Sequence, residues 1–383
     1  SYRLVGSEMC IRDRHWRIAT WPMFLPCRLQ IVATQAFFPL QESKTQPRQH
    51  RPHEPLTRAI LDLGFAKSGC VMERIAIIGA GLCGLRCAEV LQNAGLEVQL
   101  FDKSRGVGGR LATRRHQHWR FDHGCPSLHG DQDEWQQLVG GYPRWDTARA
   151  KGTQHLPSLG INQLAKDLGA ALRVQRDCLI ESIEQTGDDW LVRDQHGAEF
   201  DGFNHVVMTL PPLQALTLLA RLTTPLRSHL QAVSMAPSWV MMWVAPTQLF
   251  DAAEHYPEQS FIQRISAEHS KPDRGLPDGE YAYVLEASAA WSSHHEEADK
   301  DTIEEAFTKE LSRLFGNKPA RLHSAVHRWR YAHTRTPMGK PFALDPTIGL
   351  SIAGDWCLGQ GAGGAYRSGT ALAHQLLEDS ATG

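Results

Sequence analysis

Three glycines and a distant acid carry the first chemistry this sequence offers. In Gly79-Ala80-Gly81-Leu82-Cys83-Gly84 the glycines have the spacing of a strand that turns tightly into a helix. Gly79 makes the turn, Gly81 removes a side chain where a phosphate must approach, and Gly84 lets the helix pack closely on the sheet. Leu82 and Cys83 stand between them, at the helix start. Asp102 lies eighteen residues beyond Gly84. A carboxylate at that distance accepts hydrogen bonds from the adenosine ribose hydroxyls. The pattern predicts a dinucleotide site, and NAD and FAD share it.

The elements that must hold these residues can be read around them. Arg74–Ile78 is a short apolar run, as expected of a strand buried on both faces. A helix follows to about Asn93, with Leu85, Ala88, Leu91 and Gln92 at helical spacing and Gly95 to end it. Glu97–Phe101 alternates as a second strand and delivers Asp102. The next loop holds Lys103, Gly106, Gly108 and Gly109, whose amides would come near a diphosphate. Arg110 could pair with that diphosphate through its planar fork. Far downstream, a strand at Leu350–Ala353 leads through Gly354 and Asp355 into a glycine-rich turn and a helix containing Gly363, Gly364, Ser368 and Gly369. Between the two motifs, residues 178–209 read as a meander, with turns at Gly187-Asp188 and His196-Gly197 and a core strand at 205–209.

Residues 212–345 are expected to form a substrate domain, inserted between the segments 72–211 and 346–383 of a nucleotide-binding domain. "WVMMWVAP", "YAYVLEAS" and "RLHSAVHRWRYA" have the aromatic and β-branched content of antiparallel strands. Residues 299–316 read as an amphipathic helix with Ile303, Phe307, Leu311 and Leu314 on one face, Asp301 as cap and Gly316 as stop. Trp239, Trp243, Trp291, Trp329, Tyr283 and Tyr331 are candidates for the walls of an apolar pocket. Alternation allows only one face of each strand to line it. Lys271 and Arg274 are expected to be exposed loop charges that could meet a substrate phosphate. No acid or base stands out as catalytic.

Bulk composition narrows the class. The 383 residues are 42% hydrophobic and 21% charged with a net charge of −2, which lacks the basic excess of a nucleic-acid binder. Eight cysteines are spread without a CxxC pair, so reduced thiols in a cytoplasmic enzyme are expected rather than a disulfide framework. The 19 histidines form no HExxH, and no metal site is expected. No apolar run has the length of a membrane span. Residues 1–71 are rich in Gln, Arg, His and Pro in places, and their opening segment, "SYRLVGSEMCIRDR", resembles a translated adapter sequence. They are expected to be a non-native or disordered extension ahead of Met72.

From Met72 onward the chain resembles the bacterial renalase-like branch of the FAD-dependent amine-oxidase superfamily. "FDKSRGVGGR" is similar to that superfamily's GG motif, which NAD dehydrogenases generally lack. "HVVMTLPPLQALTLL", "SKPDR", "ASAAWSS", "HRWRYA" and "GDWCLGQGAGGAYRSG" follow in the order such proteins show, over about residues 72–378. The resemblance implies an α/β (α+β overall) fold: a Rossmann-like FAD domain with an interleaved antiparallel-sheet substrate domain. It also implies that Asp355 accepts a hydrogen bond from the ribityl chain, that the following helix points its amides at the flavin, and that backbone at Ile180 meets adenine. The implied activity is oxidation of isomeric or misreduced NAD(P)H, with hydride passing to flavin N5 and electrons to O2. A dihydropyridine needs no proton removed first, so positioning and exclusion of water would be the protein's task. A flavin amine oxidase, or a FAD-binding protein without catalysis, are the alternatives. The chain departs from the branch after "FDHG", where "CPSLHG" replaces an aromatic-containing stretch and the following segment is shorter.

Overall fold

Six strands form a twisted sheet in the order Phe342–Asp345, Leu350–Ala353, His205–Met208, Arg74–Ile78, Glu97–Phe101 and Val174–Gln175. All neighbours run parallel except the first pair, which is antiparallel. This is a computed structural model, and it describes residues 74–129, 133–147, 154–316, 320–359 and 361–382. The expectation for residues 1–71 lies outside the described residues.

The sheet forms because its central strands are apolar on both faces. In Arg74–Ile78, Ile75 and Ile77 face one layer and Ala76 and Ile78 the other. The first layer is the helix Leu82–Asn93 packed against the C-terminal helix Gly361–Thr382. Gly369 permits the close approach: a Cβ there would overlap the Cys83 carbonyl oxygen. The second layer holds the meander Ile180–Thr186, Asp189–Asp194 and Glu199–Phe203, together with the helices Pro212–Leu218 and Leu226–Gln231. Leu82–Asn93 ends as expected, with Gly95 in the left-handed region at φ +95°.

A second sheet is antiparallel, in the order Glu254–His255, Ile262–Ala267, Tyr281–Ala287, Ser234–Ala245 and His323–Thr336. One of its faces, bearing Trp239, Met241 and Trp243, is covered by the helix Lys300–Phe315 through Ile303, Phe307 and Leu311. The cap of that helix is Asp299 rather than the expected Asp301. The Asp299 carboxylate accepts from the amide of Thr302, three residues on, while Asp301 sits in the first turn. The opposite face, with Met242, Val244, Ala282 and Val284, packs on Trp119 and Phe121 of the hairpin Thr113–His116 and Trp119–Asp122.

The chain passes from one sheet to the other near residue 234 and returns near 342. Residues 212–233 pack with Ala76 and Ile78, and Phe342–Asp345 adds an edge strand to the first sheet.

Candidate active site

The two glycine motifs meet through a continuous set of contacts. Asp102 ends its strand with its carboxylate turned back on the first turn: Oδ2 accepts from the Ala80 amide at 2.8 Å, Oδ1 from the Ser104 amide at 2.7 Å. The Ala80 carbonyl in turn accepts from the Gly108 amide at 2.8 Å. A Cβ on Gly109 would lie 3.6 Å from the Gly81 Cα. The next residue, Arg110, donates from both terminal nitrogens to Asp355, at 2.7 and 2.5 Å. Asp102 and Asp355 are thereby the two ends of one line of contacts.

The glycines differ in what they do. Gly79 has φ +110°, and a Cβ there would lie 2.8 Å from Thr209 Oγ1. A Cβ on Gly84 would overlap the Gly79 carbonyl oxygen, so only glycine lets the helix start this close to the strand. At Gly81, by contrast, a Cβ would meet nothing within 4 Å. The open space lies over the start of Leu82–Asn93, whose N-cap is Gly81 itself with no side chain capping it. The first-turn amides and the positive end of the helix dipole give this opening the chemistry that suits an anion such as a phosphate. Leu82 and Cys83 are buried just inside it and serve the core. Lys103 is exposed beside Asp102, and Gly109 is left-handed at φ +56°. Ile180 is buried at the head of the meander, two residues after Cys178, whose amide donates to the Asp102 carbonyl at 2.9 Å.

At the other end, Asp355 opens the short helix Asp355–Leu358, and the chain re-enters helix at Gly361. Gly363 and Gly364 fall in its first turn. The Gly354 amide donates to Ser368 Oγ at 2.9 Å, which fastens the strand end to the C-terminal helix. The Arg110 fork, expected at a diphosphate, is engaged by Asp355, and one terminal nitrogen also reaches the Ala332 carbonyl at 3.3 Å. Burial works against the Arg110 charge, but the Asp355 carboxylate outweighs it and the guanidinium stays protonated more firmly than usual. The "CPSLHG" stretch runs alongside: the Cys125 amide donates to the Arg110 carbonyl at 2.8 Å, and Gly130 lies outside the described residues.

The candidate aromatics divide between the faces of the second sheet. Trp239 donates its indole N–H to the His295 carbonyl on the helix-covered face, and Trp291 stacks on Phe261 with ring centroids 4.2 Å apart in the same layer. Trp329 is paired across strands with Ser238, one residue out of phase with Trp239, and so points to the other face. Its indole donates to the His123 carbonyl at 2.7 Å, and Gly124 beside it is held against the Arg110 carbonyl. Tyr331 is half-buried, and burial pushes its phenol up. Trp329 is therefore the candidate that the fold brings to the Arg110–Asp355 pair.

Several charged residues near this face were not singled out from sequence. Arg264 pairs with Glu286 at 2.5 Å and Glu254 at 3.6 Å, and His333 Nε2 lies 3.0 Å from the second Glu286 oxygen. Burial would raise the Glu286 carboxyl, but Arg264 and His333 pull it down to about 2. Lys271 and Arg274 are not the exposed cations that were expected. Their side chains are buried and pair with Asp122 and Glu268 in a four-membered set, with contacts of 2.6 to 3.1 Å. His123 and His327 pack on Trp329 and are kept neutral, chiefly by burial, at about 4 and about 3. A charged residue inside an otherwise apolar strand, such as Glu286 in Tyr281–Ala287, was the one local signal for any of these.

Comparison with known proteins gives the family and the fold. Residues 77–141 match a family described as NAD(P)-binding Rossmann-like domain, and residues 140–377 one described as Flavin containing amine oxidoreductase. An L-amino-acid oxidase of Sistrurus catenatus edwardsii is 41% identical over 61 residues, 15% of this chain and 12% of that protein. A 4,4'-diapolycopen-4-al dehydrogenase of Metabacillus indicus is 47% identical over 51 residues, 13% of this chain and 10% of that protein. Among solved structures, the cyclohexylamine oxidase of Brevibacterium oxydans IH-35A aligns over 80% of this chain and 99% of its own, with TM-score 0.60 and 14% identity. A putrescine oxidase bound to putrescine covers the same shares with TM-score 0.58 and 13% identity. At these identities the structural likeness is one of fold. With its second match spanning more than half of the sequence, this chain belongs to the flavin-containing amine oxidoreductase family.

Proposed function

We propose that this FAD-dependent oxidoreductase is a renalase-like oxidase that takes hydride from a dihydronicotinamide-type nucleotide, an isomeric or misreduced NAD(P)H, with O2 as final acceptor. The cofactor suits the cradle described above: open space over Gly81, a helix start free of side-chain caps, and a fixed Asp102 carboxylate that retains acceptor capacity. In this reading Gly81, Gly109 and the start of Leu82–Asn93 hold the diphosphate. Asp102 holds the adenosine ribose, Ile180 borders adenine, and Asp355 with Gly363 and Gly364 attends the flavin end. When bound, FAD supplies the two-electron acceptor.

One observation favours this donor: the buried charges at the site are already spent. Arg110 is committed to Asp355, Arg264 to Glu286, and Lys271 and Arg274 to Asp122 and Glu268. His123 and His327 are too weakly basic to take a proton near neutral pH. An amine arrives mostly as an ammonium ion, with a pKa of about 10, and must shed a proton before its carbon can give up hydride. A dihydropyridine carries its lone pair ready. The chain's own task is then to orient the ring, with Trp329 beside it, and to exclude water.

The amine-oxidase reading is the second candidate, favoured by the shared fold of the putrescine and cyclohexylamine oxidases. Anaerobic titration of the purified holoprotein separates the two. Dihydronicotinamide isomers should bleach the visible flavin band, with simple amines leaving it unchanged. Bleaching by amines alone would overturn the proposal.

A further inference from the structure

The two halves of the cradle lie far apart in sequence, and one helix touches both. Gly361–Thr382 packs along Leu82–Asn93 and follows the short helix that Asp355 opens. Where the two long helices meet stands Ser368, fully buried. A serine inside a helix ordinarily returns its hydroxyl to a carbonyl one turn back. Ser368 instead directs it to three other segments. Its Oγ donates to the Pro341 carbonyl at 2.5 Å, just ahead of the edge strand Phe342–Asp345. It accepts from the Gly354 amide at 2.9 Å and from the Cys83 thiol, 285 residues away in sequence, at 3.7 Å.

A hydroxyl has one proton and two lone pairs. A carbonyl only accepts, so the proton points at Pro341 and the lone pairs are left for the Gly354 N–H and the Cys83 S–H. Burial pushes the Cys83 thiol up to about 12, so it stays protonated and can donate. The Cys357 thiol borders the same hydroxyl. With its proton and both lone pairs engaged, the hydroxyl fixes three pieces of chain against one another. Cys83 belongs to the first turn of Leu82–Asn93, beside the open space at Gly81, and Gly354 precedes the carboxylate that Arg110 grips. The residue after Ser368 is Gly369, which lets the helices close to this distance. A Cβ there would lie 2.3 Å from the Cys83 carbonyl oxygen.

We propose that Ser368 is a positioning residue for the cofactor, setting the spacing between the helix start assigned to the diphosphate and the Asp355 turn assigned to the flavin end. The inference rests on that assignment of the cradle and is independent of which donor reduces the flavin. A ligand held at both ends gains from its second contact only while the holding groups keep the spacing it spans. A ligand held at one end does not sense that spacing.

The test compares FAD with adenosine diphosphate, which carries only the diphosphate end, on the deflavinated full-length protein. Ser368→Ala should raise the Kd of FAD about tenfold, the scale of one lost buried hydrogen bond, and leave that of adenosine diphosphate within about twofold. Ser368→Cys keeps a weaker donor and acceptor and should recover part of the FAD affinity. Cys83→Ala removes one of the three contacts and should show the same split at about threefold, which serves if Ser368→Ala does not fold. Ser292→Ala is the control. Its hydroxyl is also fully buried and accepts from the Trp239 amide at 3.0 Å, but it lies on the helix Ala289–His294 beside the second sheet. It should lower the urea midpoint with FAD affinity unchanged. Gly81→Ala, by contrast, should weaken both ligands. If it weakens neither, the cradle assignment fails and takes the proposal with it. With Gly81→Ala behaving as expected, two results overturn the role of Ser368 alone: equal weakening of both ligands, or unchanged FAD affinity in Ser368→Ala and Cys83→Ala.

Discussion

Around Gly81 the chain makes room by leaving side chains out, whereas around Asp122 it fills the interior with four charged ones. In the first region the groups proposed to bind are backbone ones. Amides at a helix start, a carboxylate pinned by two amides and a left-handed glycine surround a space into which little protrudes. In the second, Asp122 and Glu268 neutralise Lys271 and Arg274 with almost no exposure, and the set ties the hairpin beside the site to the loop after Ile262–Ala267. The contrast shows two ways to stay rigid. One relies on steric exclusion within a few residues, the other on mutual satisfaction of charges distant in sequence.

The two ways should fail differently. Lys271→Met leaves two buried carboxylates with one cation and should cost about 4 kcal/mol of stability by urea denaturation. Adding Glu268→Gln should return part of it, since fewer unpaired charges remain. A double variant no more stable than the single one would mean that the set is not a mutual unit. On the other side, Gly84→Ala forces a Cβ into backbone and should destabilise by about 3 kcal/mol. Gly81→Ala, three residues earlier, meets only open space. It should melt within about 1 kcal/mol of wild type while releasing its flavin more readily, since the added methyl intrudes on the phosphate. Equal melting of the two alanine variants would break the distinction between packing and binding glycines.

Acid separates the regions as well. His123 titrates at about 4 in the folded protein and about 6.5 when unfolded, so the unfolded chain takes up its proton first. Its contribution is therefore complete above about pH 6.5 and is lost as pH falls towards 4, by about 2 kcal/mol between pH 7 and 5. Glu286, held at about 2 against an ordinary 4.5, contributes above that ordinary value and loses its contribution only as pH falls further. Urea midpoints from pH 7 to 5 should fall in wild type and fall less steeply in His123→Asn, where His327, held at about 3, still contributes. The smallest effect concerns the two faces of the second sheet. Trp239→Phe, on the helix-covered face, should leave the KM of the donor within about twofold, and Trp329→Phe should raise it about fivefold by freeing the His123 carbonyl.

Much of the nucleotide half was legible from order and spacing alone. A tight turn, a close helix and a terminal acid are local requirements, and each leaves a glycine or an aspartate at a fixed offset. Arg74–Ile78, Leu82–Asn93, Glu97–Phe101 and Leu350–Ala353 all lie where the residues placed them. The helix cap slipped by two residues, because Asp299 and Asp301 are equally good caps and only backbone geometry chooses between them.

What the sequence by itself determined is the turn, the close helix and the terminal acid, which rest on short-range steric rules. The flavin family was legible only through the resemblance of motifs such as "FDKSRGVGGR". Which tryptophan faces the site and which cations are buried were decided only by tertiary structure. Arg110 finds Asp355 across 245 residues and Lys271 finds Asp122 across 149. A charge in a sequence does not name its partner. Two sheets must first fold together before burial makes each pairing obligatory.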